Sequence, residues 1–227
     1  MQLRLVLLVI VACATAASAQ QSHTESTAGE QPQAVVNDDR GRAFIIRRET
    51  GALPTRGKHA RVIFEPQQYS IFLGKDWADP SMRARETDLG NLLSSARDEA
   101  MLNALNEAGV KNLYGPATTQ EKLDDIAGNI SDLQVQNVLS GMVKDGTLPK
   151  PNANAIYVIF LDPEMRSTLG SMMSGKHYVA YHSFFNAAGT RLHYVVMPFE
   201  ANQKIACQIA LRAFVAAALN PSGSSSN

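Results

Sequence analysis

The chain has 227 residues, 45% apolar and 19% charged, a balance that excludes a disordered or collagen-like polymer and is enough for one domain with a real core. Lys+Arg and Asp+Glu number 21 each, which leaves no basic footprint for nucleic acid and no polybasic membrane signal. Two cysteines exclude a disulfide-dense scaffold.

Residues 1–19 read as a signal peptide. Arg4 is the only charge in the first 24 residues, Leu5 to Ala12 is a short apolar run, and Ala17-Ser18-Ala19 is a small-residue cleavage site. The run is too short to span a bilayer, which takes about 20 apolar residues. No other run approaches that length, so no transmembrane segment is expected. Ile10 to Cys13 also fits, loosely, a lipoprotein signal, but the cleavage site beyond it favours soluble export to the periplasm or the medium. Cleavage near Gln20 leaves Cys207 as the lone thiol. Its neighbours Ile205, Ala206, Ile209 and Ala210 mark it as a small core residue.

Residues 20–58 are expected to be a mostly disordered spacer, with Ala43 to Ile46 as a short strand. One α/β domain then occupies 59–220, and 221–227 is a flexible Ser/Gly tail. Arg61 to Phe64 and Tyr69 to Leu73 are β-rich runs. Apolar spacing of three and four residues predicts one helix over about 82–108. A second is predicted over about 119–145, opened by the Thr118-x-x-Glu121 capping box and lined by Leu123, Ile126, Ile130 and Leu133. Ala155 to Leu161 (AIYVIFL) reads as a strand buried on both faces. His177 to His182 and Leu192 to Met197 are further strands, joined through a turn at Gly189, and Gln203 to Leu219 is an Ala-rich helix. The fold class is α/β: a single domain, a mixed central sheet with helices packed on it.

Gly170 to Lys176 matches G-x-x-x-x-G-K, but His177 follows where a Ser or Thr would hold magnesium, and the loop opens a strand rather than a helix. No H-E-x-x-H, C-x-x-C, G-x-S-x-G or G-x-G-x-x-G is present. The chemistry left is in the histidines. His177 and His182 are five apart and face opposite sides of a regular strand. His182 and His193 become cross-strand neighbours if their strands pair. With a carboxylate such as Asp162 or Glu164 they would make a three-ligand site for zinc or a similar ion. Asp162 ends the central strand, where ligand sites of open α/β sheets lie. Trp77, the single tryptophan, could stack on a sugar or pack under the first helix.

Several stretches, in order, resemble secreted proteins related to plant EXORDIUM, the phosphate-induced protein family, and their bacterial counterparts. They are Tyr69 to Trp77 (YSIFLGKDW), Gly146 to Pro149 with Asn154 to Leu161, Tyr181-His182-Ser183, Tyr194 to Pro198 and Ala216 to Pro221. The resemblance implies an extracellular protein. Some bacterial relatives carry a His-Glu-x-x-Glu helix that looks like a metal-dependent hydrolase site. Arg212 to Ala216 occupies that place here without His or Glu, so only His182 matches a family position that could be functional.

These readings converge on an exported, non-catalytic domain that binds a ligand or partner at the envelope. No cofactor is expected. The candidate ligand-binding residues are His182, His193, Asp162 and Trp77. Two alternatives stand beside it: a metal-dependent hydrolase using His182 and His193, and a carbohydrate-binding module around Trp77 and Tyr181.

Overall fold

An unbroken run of β-branched and aromatic residues can be buried on both faces only at the middle of a sheet. All seven residues of Ala155–Leu161 are buried, and the molecule is built around them. The computed structural model describes residues 35–38, 41–48, 53–56, 61–95, 98–111, 118–122, 124, 126, 128–187 and 189–222. The signal peptide, Cys13 and the expected tail beyond Ser222 lie outside these residues.

The strands and helices follow in chain order. β1 (Val35–Asp38), β2 (Gly41–Ile46) and β3 (Gln67–Leu73) precede α1 (Arg83–Gly90), α2 (Leu92–Ser95) and α3 (Glu99–Glu107). Next come β4 (Thr118–Lys122), β5 (Gly128–Ser131), α4 (Asp132–Lys144), β6 (Ala155–Leu161), β7 (Met165–Leu169) and β8 (Met172–Met173). The hairpin β9 (Ala180–Ala187) and β10 (Thr190–Met197) leads to α5 (Gln203–Leu219).

The main sheet has seven strands in the order β1-β2-β9-β10-β6-β3-β4, and β5-β7-β8 form a small second sheet. β10, β6, β3 and β4 run parallel, whereas β9 is antiparallel to both β10 and β2. Alternation along each strand sends side chains to two cores. Phe72, Ile156, Val158, Phe160 and Val195 pack with α5 and with apolar residues of α1, α2 and α3. Ile71, Leu73, Tyr157, Ile159 and Tyr194 pack with α4. α5 buries twelve of its residues because alanines let it lie close on the sheet. This is the expected single α/β domain with a mixed sheet and helices packed on it.

The structure corrects several local expectations. The strand expected at Ala43 to Ile46 is found as the end of β2, and β1, which was not expected, pairs with it; β2 extends the main sheet beside β9. Arg61 to Phe64 is not a strand: Ile63 donates its N–H to Ala218 O at 2.9 Å, tying this segment to the end of α5. The single helix over 82–108 is interrupted. α1 stops at Gly90, and α3 starts afresh where the Asp98 carboxylate accepts the Met101 N–H at 3.1 Å.

The helix over 119–145 is half strand. Thr118 to Lys122 pairs with β3, and Gly128 to Ser131 pairs with β7. The working capping box is Ser131 with Gln134, not Thr118 with Glu121. β9 starts at Ala180, and His177 lies in a turn where its Nδ1 accepts the Met173 N–H. β7 and β8 were not foreseen. Pro221, placed in the flexible tail by the sequence, is buried.

Candidate functional site

From β3 the chain crosses to β4 on one side and later to β6 on the other. α1, α2 and α3 contribute to one core and α4 to the opposite one. The carboxyl ends of β3 and β6 are therefore a topological switch point, the usual ligand crevice of such sheets. Gly74 and Asp162 stand at these two ends. Gly74 has φ +116°, a backbone region that favours glycine, and a Cβ there would overlap the Asp162 carboxylate. Asp162 is 1% exposed. Its carboxylate accepts N–H groups from Glu164 at 3.1 Å and Asp76 at 3.4 Å. Burial raises its pKa, partly offset by the Asp76 N–H bond. Asp162 thus plugs the crevice and anchors the 3-10 turn Lys75–Ala78.

That turn carries Trp77 inward. Its indole is 1% exposed, edge-on to Phe72 with centroids 4.7 Å apart and to Phe199 at 6.4 Å. A sugar platform needs an open ring face, which Trp77 lacks; it packs beneath α1 as a core residue. Its Nε1–H nevertheless finds no acceptor among the described residues.

Beside it, at the carboxyl ends of β6 and β10, lies a shallow recess with room for about one water molecule. Leu89, Phe160, Leu161, Met197, Phe199 and Ala206 give it apolar walls, with Arg85 and Glu200 as the charged groups. Arg85 is 7% exposed. It donates to Glu200 O at 2.7 and 2.9 Å and to Ala201 O at 2.9 Å, and its guanidinium sits 4.6 Å over the Phe199 ring. Burial lowers its pKa, opposed by Cys207 and Glu200, but a guanidinium stays charged. The Glu200 carboxylate is engaged by Arg48 and by the Asn202 N–H.

His182 and His193 lie elsewhere. His182 pairs with Val195 and His193 with Phe184, so the two are diagonal neighbours facing α5. His182 is fully buried, stacked on Phe44 at 4.9 Å, and among the described residues neither ring nitrogen is hydrogen-bonded. Burial, with His193 adding to it, pushes its pKa down to about 3. His193 falls to about 4, mainly by burial and then by Arg191, against a hydrogen bond with the Pro221 backbone.

His193 is level with Ile156, six residues before Asp162 on the same strand. At about 3.3 Å per residue this is roughly 20 Å. The structure brings the two histidines together and leaves both carboxylate candidates, Asp162 and Glu164, far away. Among the described residues no three His, Cys, Asp or Glu side chains stand close enough to hold a metal ion.

Sequence reasoning missed a buried polar cluster. Asp132, 3% exposed at the first turn of α4, accepts Tyr181 Oη–H at 2.8 Å, Tyr194 Oη–H at 2.6 Å and Gln136 Nε2–H at 2.7 Å. Burial holds both phenols well above their usual pKa, with the Asp132 charge adding to it. The cluster docks the start of α4 on β9 and β10. The one available signal was the Ser131-x-x-Gln134 cap, which puts Asp132 at a helix start.

Compared with family models, curated proteins and solved structures, the chain gives no match.

Proposed function

We propose that the protein is an exported domain that binds a small ligand at the cell envelope and does not turn it over. One observation carries the reading: a shallow, mostly apolar recess lies at the ends of β6 and β10, with Trp77 and the buried Arg85 among its lining residues. A concave, mostly apolar site with few polar groups is what a small-molecule pocket requires. Export rests on the Arg4, Leu5–Ala12 and Ala17-Ser18-Ala19 pattern, together with the resemblance to EXORDIUM-related secreted proteins.

The hydrolase alternative finds less support. Metal-assisted hydrolysis needs about three protein ligands and an open coordination position. His182 is closed off beneath α5, and its carboxylate partner is at the other end of β6.

The test is metal content and ester or peptide hydrolysis of mature protein from Gln20 onward, beside a His182→Ala variant. The expected outcome is substoichiometric metal and no turnover in either. Near one equivalent of zinc, lost with His182, together with hydrolysis, would replace this reading with the hydrolase.

A further inference from the structure

A hydrated imidazole takes up a proton as the pH falls through about 6.5. His182 holds its ring where nothing balances that charge. It is fully buried, and among the described residues neither ring nitrogen has a hydrogen-bond partner. β9 carries it, β2 and β10 flank it, and α5 covers its face. None of these four elements contains an aspartate or a glutamate. Their ionisable groups are Arg42 on β2, Arg191 and His193 on β10, and Lys204, Cys207 and Arg212 on α5, with Tyr181 and Tyr194 turned to the α4 side. His193 opposes protonation of His182, and burial keeps the Cys207 thiol uncharged. The Asp132 carboxylate lies across the sheet, bonded by the two tyrosines.

Of the elements around this ring, β2 is the one that can leave. α5 is held by twelve buried residues, and β10 is paired along both edges. β2 has only β1 beyond it. It meets β9 through three residue pairs, Phe44 with His182, Ile45 with Tyr181 and Ile46 with Ala180, closed by the Val179 N–H on Ile46 O at 2.8 Å. Phe44 is the ring stacked on His182. A lone two-stranded hairpin has little stability of its own, so β1 and β2 depend on this contact.

We propose that the β1–β2 hairpin is an acid-released flap: protonation of His182 detaches it from β9 while the rest of the sheet stays folded. Release lets water reach the imidazolium past Phe44 and leaves Ala180 to His182 as a bare sheet edge. The value of about 3 for His182 under the closed flap, against 6.5 once hydrated, sets the size of the effect. The open population should rise roughly 20-fold between pH 7 and pH 5.

Amide hydrogen exchange of the mature protein, from Gln20 onward, reads this opening. It is followed by mass spectrometry at both pH values and corrected for intrinsic exchange rates. Peptides covering β2 and Val179 are expected to exchange faster than those of β6 at either pH. Their protection should fall roughly 20-fold at pH 5 and ignore low urea, whereas β6 should respond steeply because only global unfolding exposes it. His182→Phe, or His182→Leu if only that variant folds, should hold β2 protection within about twofold between the two pH values.

Equal exchange of β2 and β6 with one urea dependence would show that the hairpin leaves only with global unfolding, and would overturn the flap. Wild-type β2 protection that ignores pH would overturn it as well. The same fall in a folded His182 variant would remove His182 as the trigger.

Discussion

The Asp162 carboxylate rests against the α-carbon of Gly74, across the two strand ends where the sheet changes its direction of winding. The crevice in which open α/β sheets usually hold ligands is filled by a side chain of the protein itself. A shallow recess opens one strand over, between β6 and β10.

Replacing Gly74 by alanine should therefore be severe. The new methyl overlaps Asp162, and φ +116° is strained for any L side chain. Gly74→Ala should cost about 3 kcal/mol or more, read by chemical denaturation. Asp162→Ala gives back the space but orphans the Glu164 and Asp76 N–H groups, at about 1–3 kcal/mol. The double variant should be less destabilised than the sum of the two. Strict additivity would show that the two residues do not press on each other.

The buried histidine pair makes the fold acid-sensitive. Folded values of about 3 and about 4 lie below the ordinary histidine value of 6.5. The unfolded chain thus binds more protons than the folded one between those limits, and stability falls as pH drops through 6.5 toward 4. The slope is about 1.4 kcal/mol per pH unit for each histidine. Asp162, whose folded pKa is raised, has the opposite sign, in a window above 3.8. It offsets part of the loss. Unfolding curves at pH 7 and 5 should show the decline, and His182→Phe, stacked on Phe44, should remove about half of it. Equal stability at both pH values would mean that the histidines are hydrated.

The Asp132 cluster predicts unequal tyrosine chemistry. Burial puts Tyr157 and Tyr178 at about 12, with Tyr181 and Tyr194 held above the ordinary value as well. In the folded protein these four should stay protonated at pH 11 and ionise together on unfolding, seen as a step in phenolate absorbance. Tyr194→Phe removes a 2.6 Å bond to a buried carboxylate. It should cost about 1–3 kcal/mol. Tyr181→Phe should cost a similar amount, and the pair should be non-additive, since both phenols serve the same Asp132 oxygen.

Elements defined by strong local pattern were legible in the sequence. β6 is continuous and apolar, the β9–β10 turn carries Gly189 at φ +79°, and α5 starts at the Asn202 cap and stops before Pro221. The stretch around β4 and β5 was not. Strands of five and four residues are too short for alternation to outweigh a chance helical spacing of Ile126 and Ile130. Burial follows from tertiary context there: Ile130 packs against α4 residues, while Gly128 and Asn129 face solvent.

The site divides along the same line. That His182 and His193 are neighbours followed from a hairpin. That Asp162 is far from them, or that Asp132 meets two tyrosines, follows from register and from where α4 lands, which no spacing records. Trp77 and Arg85 are eight residues apart, yet they share a recess only because the 3-10 turn and α1 fold over the strand ends.

The most direct test is a crystal structure of the mature protein grown with a zinc salt, with data collected at the zinc absorption edge. The account predicts no anomalous peak at His182 and His193. A zinc ion bound by those two histidines would contradict it.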